Sequence, residues 1–300
     1  MLSKHRTSGD PGRIDLHMHT DRSDGRFPPD DVLSRAFAGK LDVIAVADHD
    51  LPNVLTPGVH VRGARELRVI AAAEVSGSHA GRELHLLVYF PGEMPEEFRA
   101  FLRERAKVRA VRYDAAVAKL GFSDLAVADE PARVGDRSLT RHHLYNALKT
   151  GGHVRDLREG FALLGGAGVV PLIELPFVDA IRAARAAGGL TSWAHPSLVD
   201  AQAWTSTFVA AGLQGLEGVR PHVDRRTRNG LKVIAEQHGL LLTGGSDWHG
   251  WHETPLGTFA VTGERARDFV ARLDHASLQA GLATAARPAP ASTPPHSTAR

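Results

Sequence analysis

Short apolar runs alternate along the chain with amphipathic segments, and glycine or proline marks many of the boundaries. Short apolar runs between turn residues are typical of buried strands, whereas apolar residues spaced three or four apart are typical of helices. The pattern predicts strands at about 14–19, 42–47, 67–74, 84–90, 189–194, 215–219, 240–243 and 257–261. It predicts helices at about 29–38, 94–120, 140–149, 154–164, 178–187, 224–238 and 264–273.

The alternation of strands and helices favours parallel β/α units and an α/β fold. One connection differs, because only residues 75–83 join the strands at 67–74 and 84–90, too few for a crossover helix. We expect these two strands to be antiparallel or joined by a loop. The stretch from about 94 to 175 is mainly helical, and we interpret it as an insertion in one domain that spans residues 13–284.

The two ends of the chain, 1–12 and 285–300, are rich in small and polar residues and proline, so we expect them to be flexible. The composition is that of a globular protein, with 43% hydrophobic and 23% charged residues and a net charge of +2. A charge this weak gives no case for a nucleic-acid scaffold or a membrane-surface protein. Neither a signal peptide nor a membrane span is expected, and we expect a cytoplasmic location.

The chain has no cysteine, which excludes disulfides, thiolate metal sites and cysteine nucleophiles, but it has 17 histidines. The alternating strand pattern places Asp15, His17 and His19 on one face of the first strand. Further ionisable residues follow or begin the later predicted strands; they are Asp48, His49, Asp50, Glu74, His85, His195, Asp247 and His249. In a parallel barrel the carboxyl ends of strands converge on one rim, where sites are built.

Each of these residues alone has an ordinary explanation. A histidine at a strand end is usually a hydrogen-bonded structural residue, and the Asp24-Gly25 pair is a common turn signal. Their joint occurrence at successive strand ends is harder to explain by turn chemistry. Imidazole and carboxylate ligands without sulfur suit manganese, zinc or iron, so the sequence predicts a site for such ions.

The residues at these strand ends match motifs of a known family, in the family's order, between about residues 13 and 262. The motifs are His17-Met18-His19, Ser23-Asp24-Gly25, Ala47-Asp48-His49-Asp50, Glu74, His85, Ala194-His195-Pro196 and Gly245-Ser246-Asp247-Trp248-His249. They resemble the PHP (polymerase and histidinol phosphatase) family of metal-dependent phosphoesterases. Within it, the chain is most similar to bacterial members that act on nucleoside 3′,5′-bisphosphates and on the 5′ ends of short RNA.

The resemblance implies a distorted (β/α)7 barrel with an inserted helical subdomain and three divalent metal ions. Manganese is the first expectation, with zinc or iron as alternatives. It implies that His17, His19, Glu74 and Asp247 hold the first ion. Glu74 would bridge to a second ion held by His85 and His195, and Asp24, His49 and His249 would hold the third. The expected reaction is hydrolysis of phosphomonoesters of nucleotides, or of short RNA or DNA, by a metal-activated hydroxide.

The resemblance also suggests roles near the metals. Arg141 would clamp a second, non-reacting phosphate of the substrate, with His142 beside it in the substrate site, and His222 would protonate the leaving oxygen. The alternatives are an exposed arginine at a helix start for Arg141 and a surface histidine for His222. From their positions beside the motif histidines, Asp15 and Asp48 are expected either to orient imidazoles or to make ordinary hydrogen bonds at strand ends. The basic residues of the helix at 94–120, Arg109 and Arg112 among them, are expected to be mostly solvated, with an RNA-binding rim as the alternative.

The sequence departs from the family pattern at Leu51, His142 and Trp248, which puts the substrate preference in doubt rather than the metal ligands. Two other functions stay open. One is a phosphatase of a small metabolite such as histidinol phosphate. The other is a non-catalytic interaction module, which would be expected to lack ligands, whereas all nine candidate positions are filled.

Overall fold

The computed structural model describes residues 12–166 and 168–285. The strands within these residues are β1 (Ile14–Met18), β2 (Val43–Val46), β3 (Gly58–Arg62), β4 (Arg65–His79), β5 (Arg82–Phe90), β6 (Leu190–Trp193), β7 (Gly215–Val219) and β8 (Leu241–Gly244). The helices are α1 (Pro29–Ala38), α2 (Glu96–Leu120), α3 (Glu130–Val134), α4 (Arg141–Thr150), α5 (Leu157–Leu164), α6 (Phe177–Ala186), α7 (Leu198–Ala211), α8 (Arg225–His238) and α9 (Glu264–Ala285).

One mixed sheet has the strand order β1-β2-β4-β5-β6-β7-β8, and β3 pairs with β4. The central strand β5 is antiparallel to both of its neighbours, whereas the pairs toward either end of this order are parallel. The sheet curls, because the chain after β8 returns to β1. The Asp247 backbone N–H donates to the His17 carbonyl oxygen at 2.8 Å, and Met18 bridges to Trp248.

The connection between β4 and β5 is a tight hairpin. Ala80 and Gly81 turn the chain with φ angles of 48° and 75°, the left-handed conformation that suits the twist of a two-residue hairpin. Of the two predicted alternatives, an antiparallel pair or a connection by a loop, the structure shows the antiparallel pair. The hairpin reverses the chain, so that Glu74 on β4 and His85 on β5 both reach the same end of the sheet.

The apolar core lies on both sides of the sheet. One cluster packs α6, α7 and α8 against β4, β5 and β6 around the fully buried Phe177 and Phe208. A second cluster joins β1 and β5 to α9, where the ring centroids of Tyr89 and Phe269 are 5.0 Å apart. Burial on both faces explains why the parallel strands read as continuous apolar runs.

The stretch between β5 and α6 is helical, as predicted. It forms α2, α3, α4 and α5, and the described residues between Glu96 and Leu164 contain no strand. These helices share an apolar cluster that includes Tyr113, Leu144 and Leu148. The long helix α2 ends at Gly121, whose φ of 73° provides a left-handed C-cap.

Several element predictions were wrong. Helices α3 and α7 were missed, and α7 is rich in residues that also suit strands, which weakened its helical pattern. Strand β3 was missed because Val59 and Val61 are exposed, so it has no buried face to reveal it. The predicted strand at 257–261 is only a bridge from Val261 to Ile14.

The flexible ends predicted at 1–12 and 285–300 lie outside the described residues, apart from one residue at each inner boundary. Among the helices that the structure describes, none combines the length and the apolar character needed to cross a membrane.

Candidate active site

The first strand carries three buried polar side chains on one face, as its alternating pattern predicted. Asp15, His17 and His19 are all fully buried, and the rings of His17 and His19 lie 5.1 Å apart between centroids. Leu16 and Met18 point to apolar clusters instead. The strand therefore presents two imidazoles to the interior of the curled sheet.

Glu74, on β4, is the centre of the cluster and is fully buried. Its carboxylate oxygens lie 3.3 Å from His17 Nε2 and 2.9 Å from His49 Nδ1. They also lie 3.3 Å from His85 Nδ1 and 3.2 Å from His195 Nε2. One carboxylate thus contacts histidines from four separate parts of the chain.

Two further carboxylates flank this centre. Asp247 Oδ1 lies 3.3 Å from His17 Nε2 and 3.2 Å from His19 Nε2. Asp24 Oδ1 lies 3.2 Å from His249 Nε2.

Asp24 Oδ2 also lies 3.5 Å from His49 Nε2. The structure therefore brings together all nine residues that the family resemblance implies as metal ligands. They are His17, His19, Asp24, His49, Glu74, His85, His195, Asp247 and His249.

The backbone is unusual at two of these positions. His195 and Asp247 have φ angles of 34° and 53°, in the left-handed region that non-glycine residues rarely adopt. Such conformations cluster at functional sites, where the surrounding structure holds them. Here the His195 N–H donates to Glu217 Oε2 at 2.9 Å, and the Asp247 N–H donates to the carbonyl oxygen of His17.

The donor atoms fit divalent cations. The buried atoms His17 Nε2, His19 Nε2 and Glu74 Oε2 have no hydrogen-bond partner, which is costly unless something else satisfies them. Ligand atoms on the edge of a tetrahedron with bonds of about 2.1 Å lie about 3.4 Å apart. The spacings between carboxylate oxygens and imidazole nitrogens in this cluster are close to that value.

The candidate ligand groups partly follow the predicted division among three ions. One group unites His19 with Asp24, His49 and His249, and a second unites His17 and His19 with Asp247. The third group is His49, Glu74 and His85. His49 belongs to two groups because its Nδ1 faces Glu74 and its Nε2 faces Asp24. His195 lies outside these groups, although it contacts Glu74 and His85.

The charges of the cluster shift its pKa values. Burial acts to raise the pKa of Glu74, but His49, His17 and His85 outweigh it and hold that pKa well below its usual range. Burial acts to lower the pKa of His85, but Glu74 and Glu83 raise it to about 10. A bound cation would displace these imidazole protons, so cation affinity is expected to rise with pH.

Glu217, on β7, was missed by the sequence analysis. It is fully buried, and its Oε1 lies 2.9 Å from Nδ1 of His17 while its Oε2 accepts from the His195 N–H. A carboxylate on the far nitrogen of a ligating histidine fixes the ring and its tautomer. The available signal was an acid in the otherwise uncharged strand Gly215–Val219.

Of the two alternatives for Asp15 and Asp48, the structure shows ordinary hydrogen bonds near strand ends and, among the described residues, no contact that orients an imidazole. Asp48 accepts hydrogen bonds from the backbone and hydroxyl of Thr20, at 2.8 and 2.6 Å, and from the Ser23 hydroxyl. Asp15 accepts from the Ser246 N–H at 2.8 Å. Both aspartates therefore brace loops that carry the ligands, Asp48 the loop after β1 and Asp15 the loop after β8.

A cavity of about 170 Å³ opens beside the cluster. Asp24, His49 and His85 line it from the cluster side. The remaining lining residues are Glu83, Arg109, Arg112, Thr140, Arg141, His142 and Phe161. Both residues that the sequence analysis named for substrate binding, Arg141 and His142, therefore face this cavity.

Arg141 is the first residue of α4, which Thr140 caps by accepting from the His142 N–H. Its guanidinium lies 3.9 Å from Glu83, and 41% of the side chain is exposed. The ring of His142 lies 4.7 Å from that of Trp251, and burial lowers its pKa. Arg141 is thus lightly held and can reach a ligand.

The expectation that the basic residues of α2 are solvated was wrong for two arginines. Arg109 is buried, pairs with Asp50 and donates to Ser76. Arg112 pairs with Glu83, and only 10% of its side chain is exposed. These two arginines project from α2 and form one side of the cavity, which we call the arginine wall.

His222 is placed differently from the other predicted residues. It is exposed in the turn after β7, with a φ of 59°. Within the described residues it has no hydrogen bond or ion pair that links it to the nine-residue cluster.

No model of a known protein family matches the chain. A 3′,5′-nucleoside bisphosphate phosphatase of Chromobacterium violaceum is 28% identical over 252 residues, which cover 79% of this chain and 87% of the relative. A 5′-3′ exoribonuclease of Haemophilus influenzae is 26% identical over 260 residues, which cover 80% of this chain and 92% of the relative.

Among solved structures, the chain is similar to one from Bifidobacterium adolescentis that is described as a metal-dependent phosphoesterase. The TM-score is 0.68 at 23% identity, with 87% of this chain and 96% of the other covered. This similarity supports the mixed α/β fold. The named sequence relatives confirm the predicted resemblance and the prediction of an enzyme that hydrolyses phosphoesters.

Proposed function

We propose that the protein is a metal-dependent phosphoesterase that removes phosphate from nucleotides of the nucleoside 3′,5′-bisphosphate type or from short RNA or DNA. One observation carries the proposal: six histidines and three carboxylates from distant parts of the chain converge beside a cavity whose other wall holds arginines. The names of the two sequence relatives support the nucleotide or oligonucleotide substrate.

Three divalent ions are proposed for the nine residues, in the division that the resemblance implies. Manganese is our first choice, with zinc and iron as alternatives, because the ligands are imidazoles and carboxylates without sulfur. Such ions, when bound, activate water at neutral pH and neutralise charge on phosphoryl oxygens. The nine side chains hold the ions, and Glu217 keeps the ring of His17 oriented with its Nε2 toward Glu74.

The substrate phosphate is proposed to bind between the cluster and the arginine wall. Arg141 offers a planar donor pair suited to two phosphate oxygens, and His142 lines the same space. Arg112 lies beside them, already paired with Glu83. The guanidinium groups orient the anion and offset its charge as it enters.

The proton donor to the leaving oxygen is proposed to be His222, on the family resemblance alone. In its exposed turn it would have to approach the cavity with the substrate. His222→Ala should then slow esters with poor leaving groups far more than esters with good ones, and equal slowing of both would contradict this role.

The proposed architecture is a distorted (β/α)7 barrel over residues 13–284, with the helices at about 94–175 inserted in it. The curled sheet and the separate apolar cluster of α2–α5 support this division. A cytoplasmic location completes the proposal.

A manganese-supplemented screen of phosphate esters tests the function. The panel is adenosine 3′,5′-bisphosphate, a short 5′-phosphorylated RNA and histidinol phosphate. We expect turnover of the nucleotide or the RNA that a chelator abolishes and manganese restores.

A preference for histidinol phosphate would indicate that the substrate is a small metabolite and not a nucleotide. Failure to hydrolyse any of these esters would contradict the proposed function. Asp247→Asn should lose the activity, whereas Val199→Ala, at an exposed position on α7, should retain it.

A further inference from the structure

The cavity beside the nine-residue cluster is too small for a whole nucleotide. Its volume is about 170 Å³, whereas pockets that enclose drug-sized ligands measure about 300–1,000 Å³. Its lining includes three guanidinium groups, which suit a phosphate. A nucleotide that places its phosphate there must leave its nucleoside outside, at the mouth of the cavity.

Two exposed aromatic side chains lie at this mouth. Among the exposed large apolar side chains of the described residues, only Phe161 and Trp251 are aromatic, with 40% and 44% exposure. Phe161 lines the cavity, and Trp251 packs against His142, which also lines it. Both exposed aromatic rings are therefore beside the same small site.

Trp251 is fixed in place although it is exposed. Its Nε1–H donates to the backbone carbonyl oxygen of Asp24 at 2.7 Å, and its ring centroid lies 4.7 Å from that of His142. The other three tryptophans pack against neighbouring aromatic rings; they are Trp193, Trp204 and Trp248. Trp251 differs from them because a large part of its indole remains free.

Phe161 is held by the close approach of α5 to α4. A Cβ at the preceding residue, Gly160, would lie 2.5 Å from Cδ2 of Tyr145, so only glycine allows these helices to pack as they do. The ring of Phe161 is 6.2 Å from the ring of Tyr145. The fold thus presents a second aromatic side chain at a defined position on the cavity wall.

We propose that Phe161 and Trp251 form an aromatic rim that stacks on the base of a phosphate ester whose phosphate occupies the cavity. Every base has a flat π-face, so stacking on such side chains tolerates different base sequences. The inference rests on the proposed function and narrows its substrates. The rim selects esters that carry an aromatic base over esters of the same charge that lack one.

The test compares two ligands on the manganese-loaded protein, adenosine 5′-monophosphate and glycerol 3-phosphate. The measured quantity is the ratio of their dissociation constants, determined by equilibrium titration. The ratio is used because damage to the metal centre weakens the binding of both ligands together. Such damage could follow from loss of the hydrogen bond between Trp251 and Asp24. The variants are Phe161→Leu and Trp251→Ala, and the control is Val199→Ala, an exposed apolar residue on α7.

We expect the wild-type protein to prefer the nucleotide and each rim variant to lose about tenfold of this preference, in the range that loss of one base-stacking side chain produces. The control variant should keep the wild-type ratio. An unchanged ratio in both rim variants, or equal binding of the two ligands by the wild-type protein, would overturn the aromatic rim. Absence of hydrolysis of any phosphate ester would instead contradict the proposed function, while the binding ratio would still decide the rim.

Discussion

Two cavities of this protein differ in size and in chemistry. The larger, of about 440 Å³, lies between α7 and α8 and is lined by Ala201, Gln202, Asn229, Gly230, Val233, Ile234, Gln237 and His238. The smaller, of about 170 Å³, is lined mainly by charged and imidazole side chains from β5, α2 and α4 and from the loops that follow β1 and β2. Only the smaller one adjoins buried polar atoms that lack hydrogen-bond partners within the described residues.

The difference shows that chemistry, not volume, locates the site. The lining of the larger cavity comes from the facing sides of two neighbouring helices, and such grooves arise wherever helices pack. The smaller cavity brings like-charged and unpaired groups together, an arrangement that costs stability unless ligands compensate for it. The predictions below test this contrast, from the largest expected effect to the smallest.

Glu74→Gln should have the largest effect. The substitution removes the charge that five histidines share, and loss of ion binding should lower kcat/KM by at least about 1,000-fold, since metal ions supply several kcal/mol to phosphoryl chemistry. Gln237→Ala, in the larger cavity, is the matched control and should change kcat/KM less than about twofold. Comparable losses in both variants would remove the contrast between the cavities.

Arg109→Met should cost about 3–5 kcal/mol of unfolding free energy, because it leaves Asp50 buried without its partner. Urea unfolding measures this change. Arg103→Met, on the same helix, breaks an exposed pair with Glu96 and should cost less than about 1 kcal/mol. If the two variants were equally stable, the arginine wall would not be the buried structure described.

Glu217→Gln should weaken manganese binding about 10- to 100-fold, the usual effect of losing the partner of a ligating histidine. The His17 ring and the His195 N–H contact different oxygens of Glu217, and in glutamine one of these oxygens is replaced by an NH2 group that cannot accept. Titration of the metal-free protein with manganese measures the affinity directly. Glu236→Gln, on the exposed surface of α8, should have the wild-type affinity, and an unaltered affinity in Glu217→Gln would show that Glu217 does not position the histidines.

His143→Gln should alter the dependence of stability on pH. Burial lowers the pKa of His143 from 6.5 to about 4, so the unfolded chain binds more protons between these values and stability falls as the pH drops across this window. Glutamine preserves the capping contact with Thr140 and does not titrate.

Relative to its own stability at pH 7, the His143→Gln variant should therefore lose less by pH 5 than the wild-type protein, by a margin on the order of 1 kcal/mol. Thermal or urea unfolding measures the stability of both proteins at each pH. An equal loss of stability in both proteins would show that His143 titrates normally in the fold.

The strands and their buried polar residues could be predicted because both depend on local pattern. The period-two alternation at Ile14–Met18 is sufficient by itself to place His17 and Asp15 on one face of the strand. The short connection before Glu83 was enough to predict an antiparallel pair. The resemblance to a known family then grouped residues that are distant in sequence.

The remaining features depend on tertiary contacts. Arg109 pairs in the interior with Asp50, which is distant in the sequence. The residue pattern of α2 does not reveal this contact. The contact of Glu217 with His17 joins β7 to β1, which lie near the two ends of the strand order and are brought together by the curl of the sheet. Strand β3 forms through backbone pairing with β4 while its valines stay exposed, so its side chains carry no signal of burial.

Anomalous diffraction from crystals soaked in manganese tests the central claim most directly. The account predicts manganese peaks among Glu74, Asp24 and Asp247, with imidazole nitrogens and carboxylate oxygens about 2.0–2.3 Å from the ions. Peaks confined to other parts of the molecule, or no peak within about 3 Å of any of the nine side chains, would contradict it.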